Sequence, residues 1–300
     1  MATATGNYAS DNSTLANFQA WTTAIFNAFV TTCGWVQTAD SGQAANPIAS
    51  VPSSAYVYWI FKANDAAAAT LPIYVKVGLG FSATSPRIQI TVGTGSNGSG
   101  TITGATINGG SPWTITANNA NQGATTFPCF FSGNAGEFRM MMWQSGGATN
   151  STNPACLFGV ERSKDSSGAV TTDYFTCIAM NKTANQTTIA GGQQSVMTTS
   201  LSANQRICVL ASSLVSPPGT GAFNGTVTAY PIFPDVGKVG NPMLGFMQVY
   251  SADISDGATV TVASMYGATH NYIGYNNSTG TTTNWMGCPS AGSALLMRYE

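Results

Sequence analysis

The sequence predicts a mainly β protein: a β-sandwich or jelly-roll-like body preceded by one N-terminal α-helix. Three observations carry that expectation. Short runs rich in β-branched and aromatic residues recur along the chain, separated by Gly, Asn, Ser and Pro at fairly even intervals. No helical period is evident after residue 34. Hydrophobic residues form 43% of the 300 residues, with 14 Phe, 11 Tyr and 6 Trp, ample for a packed core and unlike a disordered chain.

Residues 1–10 read as an extended polar arm. Asp11-Asn-Ser-Thr14 then offers side-chain oxygens to cap the first amides of a helix. Leu15, Phe18, Trp21, Ile25 and Phe29 recur at spacings of three and four, and Phe26 and Val30 widen the stripe. Gly34 is the candidate C-cap. Two readings of the stripe stand. It covers the β core, or Leu15, Phe18, Ile25 and Phe29 form an oligomer seam, interrupted at Thr22. The chain therefore divides into residues 1–34, arm and docking helix, and 35–300, the β-rich body.

After a polar loop (38–50), the strands begin. Tyr56–Lys62, Ile73–Leu79 and Arg87–Val92 come first; in the third, Ile88, Ile90 and Val92 alternate with Arg87, Gln89 and Thr91. Further strands are expected at 137–143, 155–162, 173–179, 195–198, 206–211, 225–233, 243–250, 258–266 and 294–299. Residues 212–221, containing Pro217-Pro-Gly219, are either a hinge between two β lobes or one long surface loop.

Charge is the most unusual property. Charged residues are 7% of the chain, against roughly a quarter in an ordinary domain, and residues 88–136 carry none. A free monomer normally keeps a dense mixed charge shell, so an exterior covered by other subunits, or neutral and amide-rich, is expected. The net charge of −1 argues against nucleic acid, which needs Lys and Arg against phosphates. No apolar run is long enough for a membrane span, and the N-terminal residues show neither the basic nor the apolar region of a signal peptide.

Candidate chemistry is sparse. Gly93-Thr-Gly-Ser-Asn-Gly-Ser-Gly100 superficially suggests a phosphate loop, but Thr101-Ile-Thr follows where a P-loop needs Lys-Ser/Thr and a helix; a plain β-turn or hairpin connection is expected. No Gly-x-Ser-x-Gly occurs. His270, the lone histidine, reads as a surface or contact residue. Of three Glu, Glu137, Glu161 and Glu300, Glu161 lies in the charged stretch 159–165. There Glu161 with Arg162 and Lys164 with Asp165 read as exposed ion pairs at a hairpin tip, with a glycosidase acid pair as the alternative. Asp253 and Asp256 read as a turn. The six cysteines, widely spaced and without CxxC, read as buried free thiols. No metal and no cofactor is expected, and the Asn-x-Ser/Thr sequons, such as those at Asn97, Asn150, Asn224 and Asn276, reflect composition. Tyr272, Tyr275 and Trp285, beside the long polar loop 276–284, are the candidate glycan contacts.

Residues 56–104, with Tyr56-Val-Tyr-Trp-Ile-Phe-Lys62, Leu71-Pro-Ile-Tyr-Val-Lys-Val-Gly-Leu79 and Pro86-Arg-Ile-Gln-Ile-Thr-Val-Gly-Thr-Gly95, together with the opening Gly6-Asn-Tyr and Gly34-Trp-Val-Gln, resemble structural proteins of tailed bacteriophages encoded among tail and fibre genes. The resemblance spans roughly the first third and carries no catalytic residue. It implies a non-enzymatic virion component at the tail tip, baseplate or tail fibre, assembled in the host cytoplasm. The implied partners are copies of itself, as a trimer or hexamer, and other virion proteins; host-surface glycan is the further partner that Tyr272, Tyr275 and Trp285 suggest. A capsid decoration or head-fibre protein, and a polysaccharide-binding or -degrading virion protein, are the alternatives.

Overall fold

A computed structural model describes residues 1–9, 14–53, 55–82, 85–105, 113–116, 126–143, 155–182, 193–198, 207–208, 229–234, 243–250, 254–263, 268–276 and 293–300. It is mainly β with a single helix near the N-terminus, as the sequence predicts. Among the described residues no helix is long and apolar enough to cross a membrane.

The central sheet has six antiparallel strands: β1 (Ala2–Ala9) at one edge, then β9 (Thr126–Asn134), β10 (Glu137–Trp143), β11 (Ala155–Lys164), β12 (Val170–Lys182) and β13 (Gln193–Thr198). A second sheet runs β2 (Val36–Gln37), β3 (Val57–Lys62), β4 (Tyr74–Ser82), β5 (Ser85–Gly93) and β8 (Trp113–Thr116). Two short strands, β6 (Gly95–Ser96) and β7 (Ile102–Thr103), make a separate hairpin. A third sheet is ordered β14 (Ile207–Cys208), β15 (Ala229–Pro234), β16 (Met243–Tyr250), β19 (Ser293–Arg298), β18 (Thr269–Asn276) and β17 (Thr259–Ala263).

The central sheet is covered on both faces, which explains why every residue of β10 is buried. Strand alternation sends Phe138, Met140 and Met142 to one side, where they join Phe158, Phe175 and the inward residues of β3–β5 in the main core. Met141 and Trp143 point the other way and pack with Leu157, Phe246, Ile273 and Met297 beneath the third sheet. Close packing there leaves no room for a side chain at Gly159, whose Cβ would run into the Phe246 ring.

The helix, α1 (Leu15–Asn27), continues into a π-helical turn at Ala28–Thr32. Thr14 accepts a hydrogen bond from the Asn17 amide at 3.3 Å and so caps its start. Residues 10–13 lie outside the described set. Gly34 adopts φ +77°, and the Trp35 amide returns to the Phe29 carbonyl at 2.9 Å, closing the end as expected. The Phe29 ring is stacked between Phe61 of the second sheet (4.4 Å) and Phe138 of the central sheet (3.6 Å). This ring joins helix and both sheets.

Two sequence expectations change here. The N-terminal arm is not a free tail: residues 2–9 pair along their whole length with β9, Ala2 opposite Gly133 and Ala9 opposite Thr126, as the edge strand of the central sheet. Phe18, Ile25 and Phe29 are fully buried in the chain's own core, leaving Leu15, 40% exposed, as the one seam residue open to solvent. The stripe is a core stripe. Thr22, the misfit on a seam, is buried and donates to the Phe18 carbonyl at 2.7 Å, so its hydroxyl is satisfied within the helix. The segment 212–221 lies outside the described residues, but β14 before it and β15 after it pair in one sheet.

Candidate functional site

Two polar constellations stand out against the apolar layers. The first is internal. On β10 and β11, Glu137, Arg139 and Glu161 face the third sheet. Arg139 Nη2 donates to Glu137 Oε2 at 2.6 Å, Arg139 Nε donates to Glu161 Oε1 at 2.9 Å, and Arg139 Nη1 lies 3.0 Å from Met1 Sδ. Lys164 Nζ closes on Glu137 Oε1 at 2.5 Å. Gly245 of β16 lies directly above: a Cβ there would collide with Arg139 Nε and Glu161 Oε1. Burial pushes the Glu137 carboxyl up, but Arg139 and Lys164, by charge and hydrogen bond, overcome it and hold the group at about 2. Burial likewise pushes the Arg139 guanidinium down, and the two carboxylates more than reverse it.

This arrangement corrects the reading of residues 159–165. Neighbours in a strand point to opposite faces, so Glu161 and Arg162 do not pair. Arg162 turns into the other side of the sheet, donates from Nε to Asp65 Oδ2 at 2.6 Å and from Nη2 to Asp65 Oδ1 at 2.7 Å, and reaches the Leu71 carbonyl with Nη1. Only Asp165 sits at the expected hairpin tip, accepting from the Ser167 and Ala169 amides. Glu137 and Glu161 do share one arginine, yet both carboxylates are sealed from solvent, so no sugar oxygen reaches them as a glycosidase pair requires.

The other expected positions are equally specific. Tyr272 and Tyr275 are buried between the central and third sheets or within the latter's own core, and burial pushes both phenols up. Their rings are not offered to a glycan. Trp285 lies outside the described residues. His270 Nδ1 lies 2.6 Å from Glu300 Oε1, which also accepts from Arg298. Cys33, Cys129, Cys156 and Cys177 are buried free thiols, as expected; burial pushes Cys33 up to about 12. Among the described residues no group of three or more His, Cys, Asp or Glu is placed to hold a metal.

The second constellation is open. It occupies the outer face of the second sheet, where the register sets Tyr58 opposite Gly78 and Gly78 opposite Gln89, with Lys76 opposite Thr91 in the next row. Gly78 makes the floor of a cleft of about 240 Å³, and Gly100, Thr101 and Ile102 of the β6–β7 connection form one wall. Tyr56 lies against Gly80, where an added Cβ would sit 2.9 Å from its ring. Lys76 Nζ lies 4.0 Å from the centroid of the Tyr58 ring and donates to the Gly100 carbonyl at 2.6 Å. Its burial lowers the ammonium pKa, and Asp40 is the carboxylate whose charge opposes that shift.

The glycine-rich tract is a hairpin, as the sequence predicts, and not a phosphate cradle. Its amides are already taken: Ser99 and Thr101 donate to Asn97 Oδ1, Gly98 to Ser96 Oγ, and Gly100 to Asp40 Oδ1. Asp40 also accepts from Ser96 Oγ and, at 2.6 Å, from Thr38 Oγ1. Tyr58 Oη donates to the Ser41 carbonyl at 2.8 Å. The hairpin is thus pinned to the 38–44 loop and to the sheet, which makes the cleft wall rigid. Sequence reasoning missed this site, although Tyr56, Tyr58, Lys76, Gln89 and Thr91 share one strand face by simple alternation. No family model matches this chain, and neither does any curated protein or solved structure.

Proposed function

We propose that this protein is a non-enzymatic structural subunit of a tailed-phage virion, placed at the tail tip, baseplate or tail fibre. One observation supports it above the others: of so few charges, Glu137, Arg139, Glu161 and Arg162 are buried within the fold. The exterior is therefore even less ionised than the composition suggests. A neutral surface of Thr, Ser, Asn and Gly suits permanent contact with companion subunits better than free diffusion at high concentration. The two carboxylates best placed for acid–base work are committed to holding sheets together. The helix stripe does not supply the subunit contacts, so these involve outer β surfaces.

Closed rings dominate homo-oligomers, and a trimer or hexamer is the expected form. The test is quantitative mass spectrometry of purified particles, with sedimentation of the isolated chain. A few copies per particle, in multiples of three or six, are expected. Absence from particles, together with a stable monomer at high concentration, would refute the proposal. Density on the head lattice would move the protein from tail to capsid.

A further inference from the structure

The geometry points to the cleft on the outer face of the second sheet as a binding site for one carboxylate-bearing sugar unit of a polysaccharide, a uronic acid. The size is right for a single ring: about 240 Å³ is below the roughly 300 Å³ at which pockets for drug-sized ligands begin. The walls combine Tyr56 and Tyr58 with the hydrogen-bonding side chains of Gln89, Thr91 and Thr101. Aromatic rings beside amides and hydroxyls match a ligand that is apolar on its ring faces and polar at its rim. The floor is Gly78, and that position stays open because it carries no side chain.

Charge selects the acidic class. Lys76 is the ionised residue lining the cleft, and among the described residues its ammonium has a single hydrogen-bond acceptor, the Gly100 carbonyl. An ammonium carries three donors; with the Gly100 carbonyl on one and the Tyr58 ring 4.0 Å away, donor capacity is left for a carboxylate. The depressed pKa agrees with this: burial desolvates the group, the Asp40 carboxylate offsets that only in part, and a bound carboxylate would offset it further. Arg87 lies on the same strand face as Gln89 and Thr91, and among the described residues its buried Nε has no hydrogen-bond partner. This face is cationic in a chain with little cationic surface. Phosphate is a poorer fit, because the hairpin amides that would cradle it are already bonded.

This inference stands apart from the particle assignment. A chain absent from virions could still bind uronates, and a virion subunit could bind none. The experiment is isothermal titration of the purified full chain with oligogalacturonate and oligoglucuronate, using the neutral hexose oligomers as controls. Acidic oligomers are expected to bind, and neutral ones at least tenfold more weakly, since a hydrogen bond to a charged group is worth about 1.5–3 kcal/mol and about 1.4 kcal/mol is tenfold. Lys76→Gln is expected to erase the preference, and Lys76→Arg to keep most of it. Gly78→Val, which fills the floor with a residue suited to a strand, is expected to abolish binding while the melting temperature confirms folding. Equal affinity for neutral and acidic oligomers, no binding at all, or binding untouched in folded Lys76→Gln and Gly78→Val proteins would each overturn the assignment.

Discussion

Replacing Arg139 by Met separates the buried ion cluster from the apolar packing around it. Methionine keeps a long flexible stem between the sheets but removes the donors that hold Glu137 and Glu161. Glu137 retains Lys164, whereas Glu161 loses its arginine while remaining beneath Gly245. Removing one partner of a buried ion pair costs about 3–5 kcal/mol, because the remaining charge stays desolvated. For a chain of this size that is a fall in Tm on the order of 10 °C. Differential scanning calorimetry of both proteins at pH 7 reads this directly. A loss under about 1 kcal/mol would refute the reasoning. The combined Glu137→Leu, Arg139→Met and Glu161→Leu protein should recover much of the loss, since apolar replacement of a whole buried cluster is often neutral.

Other consequences follow from the same contacts. Glu137 titrates at about 2 when folded and near 4.5 when unfolded, so its contribution is complete above pH 4.5 and disappears as pH falls toward 2. By linkage that is at most about 3 kcal/mol, and Glu137→Gln should flatten the acid limb of the urea-midpoint profile. Phe29→Ala removes the ring stacked on both sheets and should cost about 3–5 kcal/mol by chemical denaturation. Gly245→Ala should destabilise by about 1–3 kcal/mol through overpacking, seen as faster amide exchange in β16 and β19. Cys33, Cys129, Cys156 and Cys177 should resist a thiol reagent in the native protein and react on unfolding, with peptide mapping to assign them.

Much of the architecture was legible because periodicity encodes it. The helix followed from the stripe through Phe18, Trp21, Ile25 and Phe29, all now buried, and β5 from its strict alternation, with Ile88, Ile90 and Val92 inside. The N-terminal strand was harder: its small residues Ala2-Thr-Ala-Thr5 look like a polar arm, and the partner that orders them lies over 120 residues away. β10 was readable as a strand, but the charged Glu137 and Arg139 alternating with Phe138 hid that it is covered on both faces. The ion pairs were misread because adjacency was taken for contact. In a strand, Glu161 and Arg162 must diverge, and their partners Arg139 and Asp65 come from distant segments. Tyr272 and Tyr275 were placed by the polar loop after them, although both lie within β18. The open cleft was missed for a related reason. Its residues come from three strands and a hairpin, and only register brings Gly78 between Tyr58 and Gln89.

The pairing of β1 with β9 also sets the timing of folding during synthesis. The helix and the second sheet intervene between these two strands, so residues 2–9 cannot settle until the ribosome has made residue 134. At about 5–20 residues per second that is a wait of roughly 6–25 s. Throughout it an uncharged, threonine-rich ribbon is without its edge, and a nascent chain on the same polysome could offer it one first.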